Sequence, residues 1–173
     1  MESVETTTSI DRKNSLLSQI EETPGIRYRE LLRLSGFTNG VLTYHLAVLE
    51  RSNRIKVDRK SRMTRYYPSH ISNQESSIIG LLKVDTARSI TIFVLEHDLC
   101  GFGEIVDNVK KAPSTVSWHL KRLRDFGIIS VHNGEYLLYR VNNKLVIESI
   151  LSKYKESFVD KIVNNYVEMV DEL

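Results

Sequence analysis

The sequence predicts a mainly α-helical protein with small β-hairpins, an α+β fold with two copies of one small domain and a long C-terminal helix. Two segments of the chain, one starting at Thr38 and the other at Ala112, match without a gap, which indicates an internal repeat. Each matching segment is followed by two short β-type runs around a turn. From Lys144 to Leu173 the chain contains neither Gly nor Pro, which is typical of a continuous helix.

Composition narrows the class of protein. The chain has 173 residues, 41% hydrophobic and 27% charged, as expected for one or two globular domains. The single cysteine, Cys100, excludes an intramolecular disulfide and is typical of a reducing compartment. No apolar run approaches the roughly 18–20 residues of a membrane helix, and the acidic, Thr-rich start is unlike a signal peptide. We therefore expect a cytoplasmic protein that does not cross a membrane.

The repeat defines the two domains. TNGVLTYHLAVLERSNRI (38–55) aligns with APSTVSWHLKRLRDFGII (112–129). Apolar residues at helical spacing predict three helices in each copy. The third helix of each copy ends near Asn53 or Gly127, residues suited to a left-handed C-terminal cap. Its predicted core positions are Leu42, Leu46 and Leu49 in the first copy and Val116, Leu120 and Leu123 in the second.

A predicted hairpin completes each copy. The strands are expected at 55–58 and 64–67 in the first copy and at 128–132 and 135–141 in the second, where Asn133-Gly134 predicts a two-residue turn. Three helices and a hairpin, with a short turn between the second and third helices, make a winged helix-turn-helix. The domains are predicted at 11–71 and 85–141. The rest is predicted as a disordered tail (1–10), a linker with a short connecting helix (72–84) and a C-terminal dimerisation helix (142–173). Within 72–84, the polar residues 72–77 are predicted as the linker and residues 78–82 as the helix.

VSWHLKRLRDFGII, with its hairpin, resembles the recognition helix of the ArsR/MarR-type winged helix-turn-helix transcriptional regulators, and LTYHLAVLERSNRI is a weaker match. Two copies in one chain are similar to the tandem winged-helix regulators common in archaea. The resemblance implies a DNA-binding regulator and no enzyme. It implies no cofactor, because the Cys-x-Cys or paired Asp/His ligands of the metal-sensing members are missing. His45 and His119 are expected to be half-buried packing residues rather than metal ligands or proton donors.

The faces of the third helices opposite the core are predicted to contact double-stranded DNA. Tyr44 and Trp118 point away from the core in this arrangement; packing against the wing or a neighbouring helix is the alternative. The predicted contacts of the first copy's helix are Thr38, Asn39, Gly40, Thr43, Tyr44 and Arg51. Those of the second copy are Ser114, Thr115, Ser117, Trp118, Lys121 and Arg122.

The basic residues of the chain are concentrated around the first hairpin, which we call the first wing. The predicted contacts with DNA phosphates therefore lie mainly there. Residues 38–71 hold seven basic residues against two acidic ones, whereas residues 72–141 are neutral. Basic wings suit phosphates and narrow minor grooves. The first copy is thus expected to bind through its wing and the second through its helix. The predicted wing contacts are Arg54, Lys56, Arg59, Lys60, Arg62 and Arg65.

The C-terminal apolar stripe recurs at a mean of about 3.7 residues, as in an α-helix. It needs a partner surface, and homodimerisation is preferred over folding back on the chain's own domains. The predicted dimerisation residues are Ile147, Leu151, Tyr154, Phe158, Ile162, Tyr166 and Met169.

Two further interpretations stay open. A tandem winged-helix protein can serve as an interaction adaptor in a transcription or chromosome-organising complex. Alternatively, the first copy binds DNA while the second docks a protein or a second chain. The basic wing favours a DNA-binding regulator, which can also contact the transcription machinery.

Overall fold

The computed structural model describes residues 2–59 and 63–158, with side chains from residue 9 onwards. It contains two compact units: the first includes the described residues up to Ser76, and the second runs from Ser77 to Phe158. Each unit includes a domain of three helices and a three-stranded antiparallel sheet, and the second unit contains further helices on either side of its domain. The predicted winged helix-turn-helix folds are confirmed in both.

The first domain has a sheet in the order β1-β3-β2. Strand β3 pairs antiparallel with both neighbours, and Ile26 lies opposite Tyr66 while Val57 lies opposite the same tyrosine from the other side. The elements are α1 (Glu2–Glu22), β1 (Ile26–Arg27), α2 (Tyr28–Ser35), α3 (Asn39–Arg51), β2 (Ile55–Asp58) and β3 (Arg65–Pro68).

The second domain repeats this arrangement, with the sheet order β4-β6-β5. Helix α4 (Asn73–Leu82) precedes it. The elements are α5 (Asp85–Glu96), β4 (Cys100–Gly101), α6 (Phe102–Val109), α7 (Pro113–Asp125), β5 (Ile129–Asn133), β6 (Leu137–Val141), α8 (Lys144–Lys153) and α9 (Lys155–Phe158).

The six predicted core positions of the third helices are all buried. Leu42, Val116 and Leu123 have no exposed surface. Helix α1 packs against α3 and β3, and α5 packs against α6, α7 and β6. One face of each third helix is thereby fixed in the core, which leaves the opposite face outside.

The same cap ends both third helices. Asn53 and Gly127 have φ values of 53° and 69°, as predicted. Behind them, the amide of Arg54 donates to Leu49 O and that of Ile128 donates to Leu123 O, both at 2.9 Å. These are the long hydrogen bonds of a Schellman motif, and they turn the chain from the helix into the wing.

Each sheet has a third strand that the sequence analysis did not predict. Strands β1 and β4 have two residues each, too short for a period to be visible. A repeated glutamate cap follows them. The amide of Arg27 donates to Glu30 Oε2 at 2.8 Å, and that of Gly101 donates to Glu104 Oε2 at 2.6 Å, which fixes the start of α2 and α6.

Three boundary predictions need correction. Residues 2–10 belong to helix α1 and are not a disordered tail; no Gly or Pro interrupts residues 2–22. Residues 73–77 are the first half of α4, because Ser72 Oγ accepts from the amide of Glu75 at 3.0 Å and caps it. The second wing has a three-residue connection (134–136), because Asn133 pairs with Leu137 and extends the ladder.

The C-terminal helix is not continuous over its described part. Helix α8 ends at Lys153, and the capping residue Tyr154 has φ −110° and ψ 20° before α9 begins. Ile147, Tyr154 and Phe158 are buried and Leu151 is half-buried. Arg88 lies over the Phe158 ring, with Cζ 5.8 Å from its centroid. These four predicted dimerisation residues are therefore buried or half-buried in a single chain, and the contact of Phe158 with Arg88 is of the kind that the fold-back alternative predicts; Ile162, Tyr166 and Met169 lie outside the described residues.

A search of the described residues finds no helix with the length and apolar character needed to cross a membrane.

Candidate nucleic-acid interface

The outer faces of α3 and α7 are exposed at the predicted positions. In the first domain these are Thr38, Asn39, Gly40, Thr43, Tyr44 and Arg51. In the second they are Ser114, Thr115, Ser117, Trp118 and Lys121, with Arg122 half-buried beside them. Each helix thus presents hydroxyl, aromatic and basic groups on the side away from its core.

Tyr44 and Trp118 occupy equivalent positions and are 63% and 53% exposed. Each ring meets the following histidine edge to face, with centroid distances of 5.2 Å to His45 and 4.7 Å to His119. Packing on the wing therefore does not bury either aromatic, and both remain available to a ligand. Arg122 Cζ lies 4.9 Å from the Trp118 ring centroid, whereas no described cation lies over the Tyr44 ring.

His45 and His119 are 4% and 8% exposed, more buried than predicted. Burial lowers the pKa of both imidazoles, helped by Arg12 and Lys13 near His45 and by Arg122 near His119. Both shifts favour the neutral imidazole on the buried side of the third helix. Among the described residues, no group of three or more His, Cys, Asp or Glu is placed to hold a metal ion.

Fewer of the described basic side chains of the first wing are available to a ligand than their number in the sequence suggests. The guanidinium of Arg59 donates to both carboxylate oxygens of Glu50, at 2.6 and 2.7 Å. The ammonium of Lys56 donates to Ile71 O and to Asn73 Oδ1. Arg54 is exposed. Lys60 and Arg62 lie outside the described residues.

Arg65 does not belong to the exposed part of the wing. Its side chain is 7% exposed and donates to Gly25 O at 2.7 Å. Burial lowers its pKa, which for a guanidinium still leaves it charged at neutral pH. A buried arginine that holds the β1 turn stabilises the fold, so we leave it out of the candidate interface.

The second domain carries an exposed basic cluster, defined here as Lys110, Lys111, Lys121 and Arg124. Within the part of the chain that the structure describes, none of the four forms an ion pair. Lys110 and Lys111 lie just before α7 and Lys121 and Arg124 lie in its C-terminal half, so their charge is available to a polyanion along this helix. The cluster contrasts with the acid-paired Arg59 of the first wing.

One residue at the first recognition helix was missed by the sequence analysis. The hydroxyl of Tyr28, the first residue of α2, lies 2.9 Å from Thr43 Oγ1 and 3.1 Å from Asn39 O. It also bonds the side-chain Oδ1 of Asn39. The available signal was the repeat itself, whose alignment pairs Tyr28 with Phe102.

Comparison with known proteins agrees with this architecture. A family model described as an N-terminal HTH domain matches residues 10–79. A second, described as a bacterial regulatory protein of the arsR family, matches residues 85–131. An uncharacterized HTH-type transcriptional regulator of Methanocaldococcus jannaschii is 29% identical over 146 residues. These are 84% of this chain and 36% of that protein, so the chain spans about a third of that relative's length.

Solved structures with some similarity include a zinc-responsive MarR family member, ZitR of Lactococcus lactis. It is 14% identical with a TM-score of 0.34, over 78% of this chain and 84% of that one. A conserved hypothetical protein from Chlorobium tepidum is 16% identical with a TM-score of 0.32, over 87% and 99% of the two chains.

The family matches fall on the two domains that the repeat and the structure delimit. The chain is a tandem of two winged helix-turn-helix domains, of which the first matches the N-terminal HTH domain model and the second is similar to the arsR family of regulatory proteins.

Proposed function

We propose that this protein is a DNA-binding transcriptional regulator that reads double-stranded DNA with the outer faces of α3 and α7. The single observation that carries the proposal is the exposure of both helix faces at equivalent positions. Hydroxyl, aromatic and basic side chains stand on these faces, while the opposite faces are fixed in the cores. The two HTH family matches and the similarity to an HTH-type regulator support it. The family that matches the second domain is described as a regulatory protein family, which favours a binding protein over an enzyme.

The proposed binding mode combines contacts to the DNA bases with contacts to the DNA backbone. The N-terminal residues of a recognition helix contact base edges, and basic side chains around it neutralise phosphates. The basic cluster of the second domain supplies such charges, together with Arg51 and Arg54 of the first. Tyr44 and Trp118 supply apolar surface for sugars and thymine methyl groups. The predicted contacts Lys60 and Arg62 are kept as part of this proposal.

The first experiment is a fluorescence-anisotropy titration of the purified chain against a randomised DNA duplex pool at two salt concentrations, with sequencing of the bound fraction. We expect salt-sensitive binding and enrichment of one motif. Binding without enrichment would indicate a non-specific architectural protein, and no binding at low salt would refute the proposal.

A protein-interaction adaptor is the second candidate. One observation favours it: the tip of the second wing exposes Tyr136 at 74% and Leu137 at 56%, and it has no Lys or Arg between 132 and 137. Such a tip suits a protein surface better than a phosphate backbone. The titration above separates the two candidates, because an adaptor gives no enriched DNA motif.

We further propose that the protein acts in the cytoplasm as a homodimer, which would match a palindromic site. Of the predicted dimerisation residues, we assign this contact to Ile162, Tyr166 and Met169, because the other four are buried or half-buried in a single chain. Light scattering of the wild type and of a chain with Asp at all three positions tests it. A dimer that persists in the variant would contradict this assignment.

A further inference from the structure

A hydrogen-bond network fixes the N-terminus of the first recognition helix. The Tyr28 hydroxyl contacts Asn39 through both its carbonyl oxygen and its side-chain Oδ1, and it contacts the Thr43 hydroxyl at 2.9 Å. The three residues lie on α2 and on the first two turns of α3. Asn39 and Thr43 are exposed on the candidate interface, so the network stands where a ligand would meet the helix.

The chemistry of the three groups sets the direction of these bonds. A phenol has one hydrogen, and both oxygens of Asn39 can only accept. Tyr28 therefore donates to Asn39 and accepts from the Thr43 hydroxyl. With Oδ1 turned toward Tyr28, the amide nitrogen lies on the other side of the group, as a donor with two free hydrogens. An exposed asparagine that would otherwise sample several rotamers is held in one orientation.

The second domain lacks the tyrosine hydroxyl and the asparagine side chain of this network. In the alignment of the two copies, Tyr28 corresponds to Phe102, Asn39 to Pro113 and Thr43 to Ser117. Phenylalanine cannot donate, and proline at the first position of α7 has neither an amide side chain nor an N–H. The two recognition helices thus begin with different chemistry on the same backbone.

We propose that Tyr28 is a positioning residue for base recognition, and that it holds Asn39 for adenine. Asparagine pairs with adenine by donating to N7 and accepting from N6. Asn39 is the first residue of α3, the end of a recognition helix that meets base edges. Its Oδ1 accepts from Tyr28 with one lone pair and keeps the other for N6. This inference rests on the proposed function.

The test compares the wild type with Tyr28→Phe and Asn39→Ala in selections from a randomised duplex pool. The wild type should prefer adenine at one position of its motif by about 5–150-fold, the range of a good bidentate contact. Asn39→Ala should abolish that preference. Tyr28→Phe should reduce it by roughly 2–10-fold, the effect of one net hydrogen bond, while other positions stay unchanged.

Tyr136→Phe is the matched control, since it removes an exposed tyrosine hydroxyl from the second wing. It should leave every base preference unchanged. Thermal unfolding of each variant shows whether the fold is kept; a loss of stability alone would lower affinity for all sequences alike and would not move one position.

The outcomes are distinct. An adenine preference that Tyr28→Phe weakens supports the inference. A wild-type motif that Tyr28→Phe leaves intact overturns the positioning role and spares the proposed function. A wild type that enriches no motif overturns both.

Discussion

The two winged domains share a backbone and differ in what they present to a ligand. Both have the same order of elements, the same glutamate cap and the same Schellman turn. The first domain begins its recognition helix with a tyrosine-centred network and pairs its wing arginine with Glu50. The second begins with proline and carries basic residues just before and along this helix that form no ion pair within the described residues.

A count of basic residues along the chain is therefore a poor measure of an interface. Six basic residues fall within 54–65, yet Arg65 is buried and Arg59 faces a carboxylate. The neutral total of residues 72–141 hides a basic cluster, because acids such as Glu104 and Asp98 cap a helix or pair elsewhere. The two domains are therefore closer in their capacity for phosphate than the sequence predicts.

The largest effect we expect is on stability, from equivalent core leucines. Leu49→Ala and Leu123→Ala remove side chains that are 4% and 0% exposed. Each change should lower the free energy of unfolding of its own domain by about 2–5 kcal/mol, from lost burial and the cavity left behind. Denaturant unfolding followed by circular dichroism measures it. A loss below about 1 kcal/mol at either site would contradict the equivalence of the two cores.

The next prediction compares the two basic surfaces by salt dependence. Lys110, Lys111 and Lys121 changed together to Ala should reduce the slope of log affinity against log salt by up to about 2.7, at about 0.9 per phosphate contact. The corresponding change at Arg59, Lys60 and Arg62 should lower affinity across sequences and flatten the slope by less, because Arg59 already faces Glu50. Anisotropy titrations at four salt concentrations measure both slopes. An unchanged slope for the wing variant would remove the wing from the interface, and a larger effect for the wing would reverse our comparison.

A smaller effect on the free energy of unfolding is expected from pH, through the two histidines at equivalent positions of the repeat. Burial lowers the pKa of His45 and His119 below the ordinary value of 6.5. As pH falls through about 6.5, the unfolded chain takes up protons before the folded chain does, so the free energy of unfolding falls. The loss continues down to the folded pKa values. Thermal unfolding between pH 7.5 and 5.5 should show it, and His45→Gln with His119→Gln should flatten it. An equal slope in that double variant would assign the pH dependence to other groups.

Much of the fold can be predicted from the sequence because the repeat shows each structural pattern twice. Leu42 and Val116 mark the same core position, and Asn53 and Gly127 mark the same cap, so each pattern is seen twice. The short strands at Ile26 and Cys100 were not predicted, because two residues are too few to show an alternating hydrophobic pattern. The helical structure of residues 73–77 was not predicted, although Ser72 and Glu75 have the spacing of a capping box. The polar composition of this segment suggests a linker only when that spacing is ignored.

The candidate interface follows less well, for a physical reason. Periodicity tells which side of α3 faces the core, and hence that Tyr44 is exposed. It does not tell which charges meet, because Glu50 and Arg59 are joined only when the helix and the wing fold together. The burial of Arg65 has the same origin, since its partner Gly25 lies 40 residues away. Contacts between distant parts of the chain decide which residues remain for a ligand.

The smallest effect we expect comes from the ion pair between Glu50 and Arg59, which tests whether a contact between distant residues decides which charges remain for a ligand. The two bonds from Arg59 lower the pKa of Glu50, but the pair is exposed, so Glu50→Gln should change stability by only a few tenths of a kcal/mol. It should instead release Arg59 for phosphate, raising affinity for non-specific DNA by roughly 2–5-fold at low salt and steepening the salt slope by up to about 0.9. Glu21→Gln is the matched control, because it removes the same charge from an exposed site of the same domain. An equal rise in both variants would mean that net charge alone is felt. A rise confined to Glu50→Gln would show that the first domain holds part of its positive charge in reserve, and that the contrast between the two domains can be changed at one carboxylate.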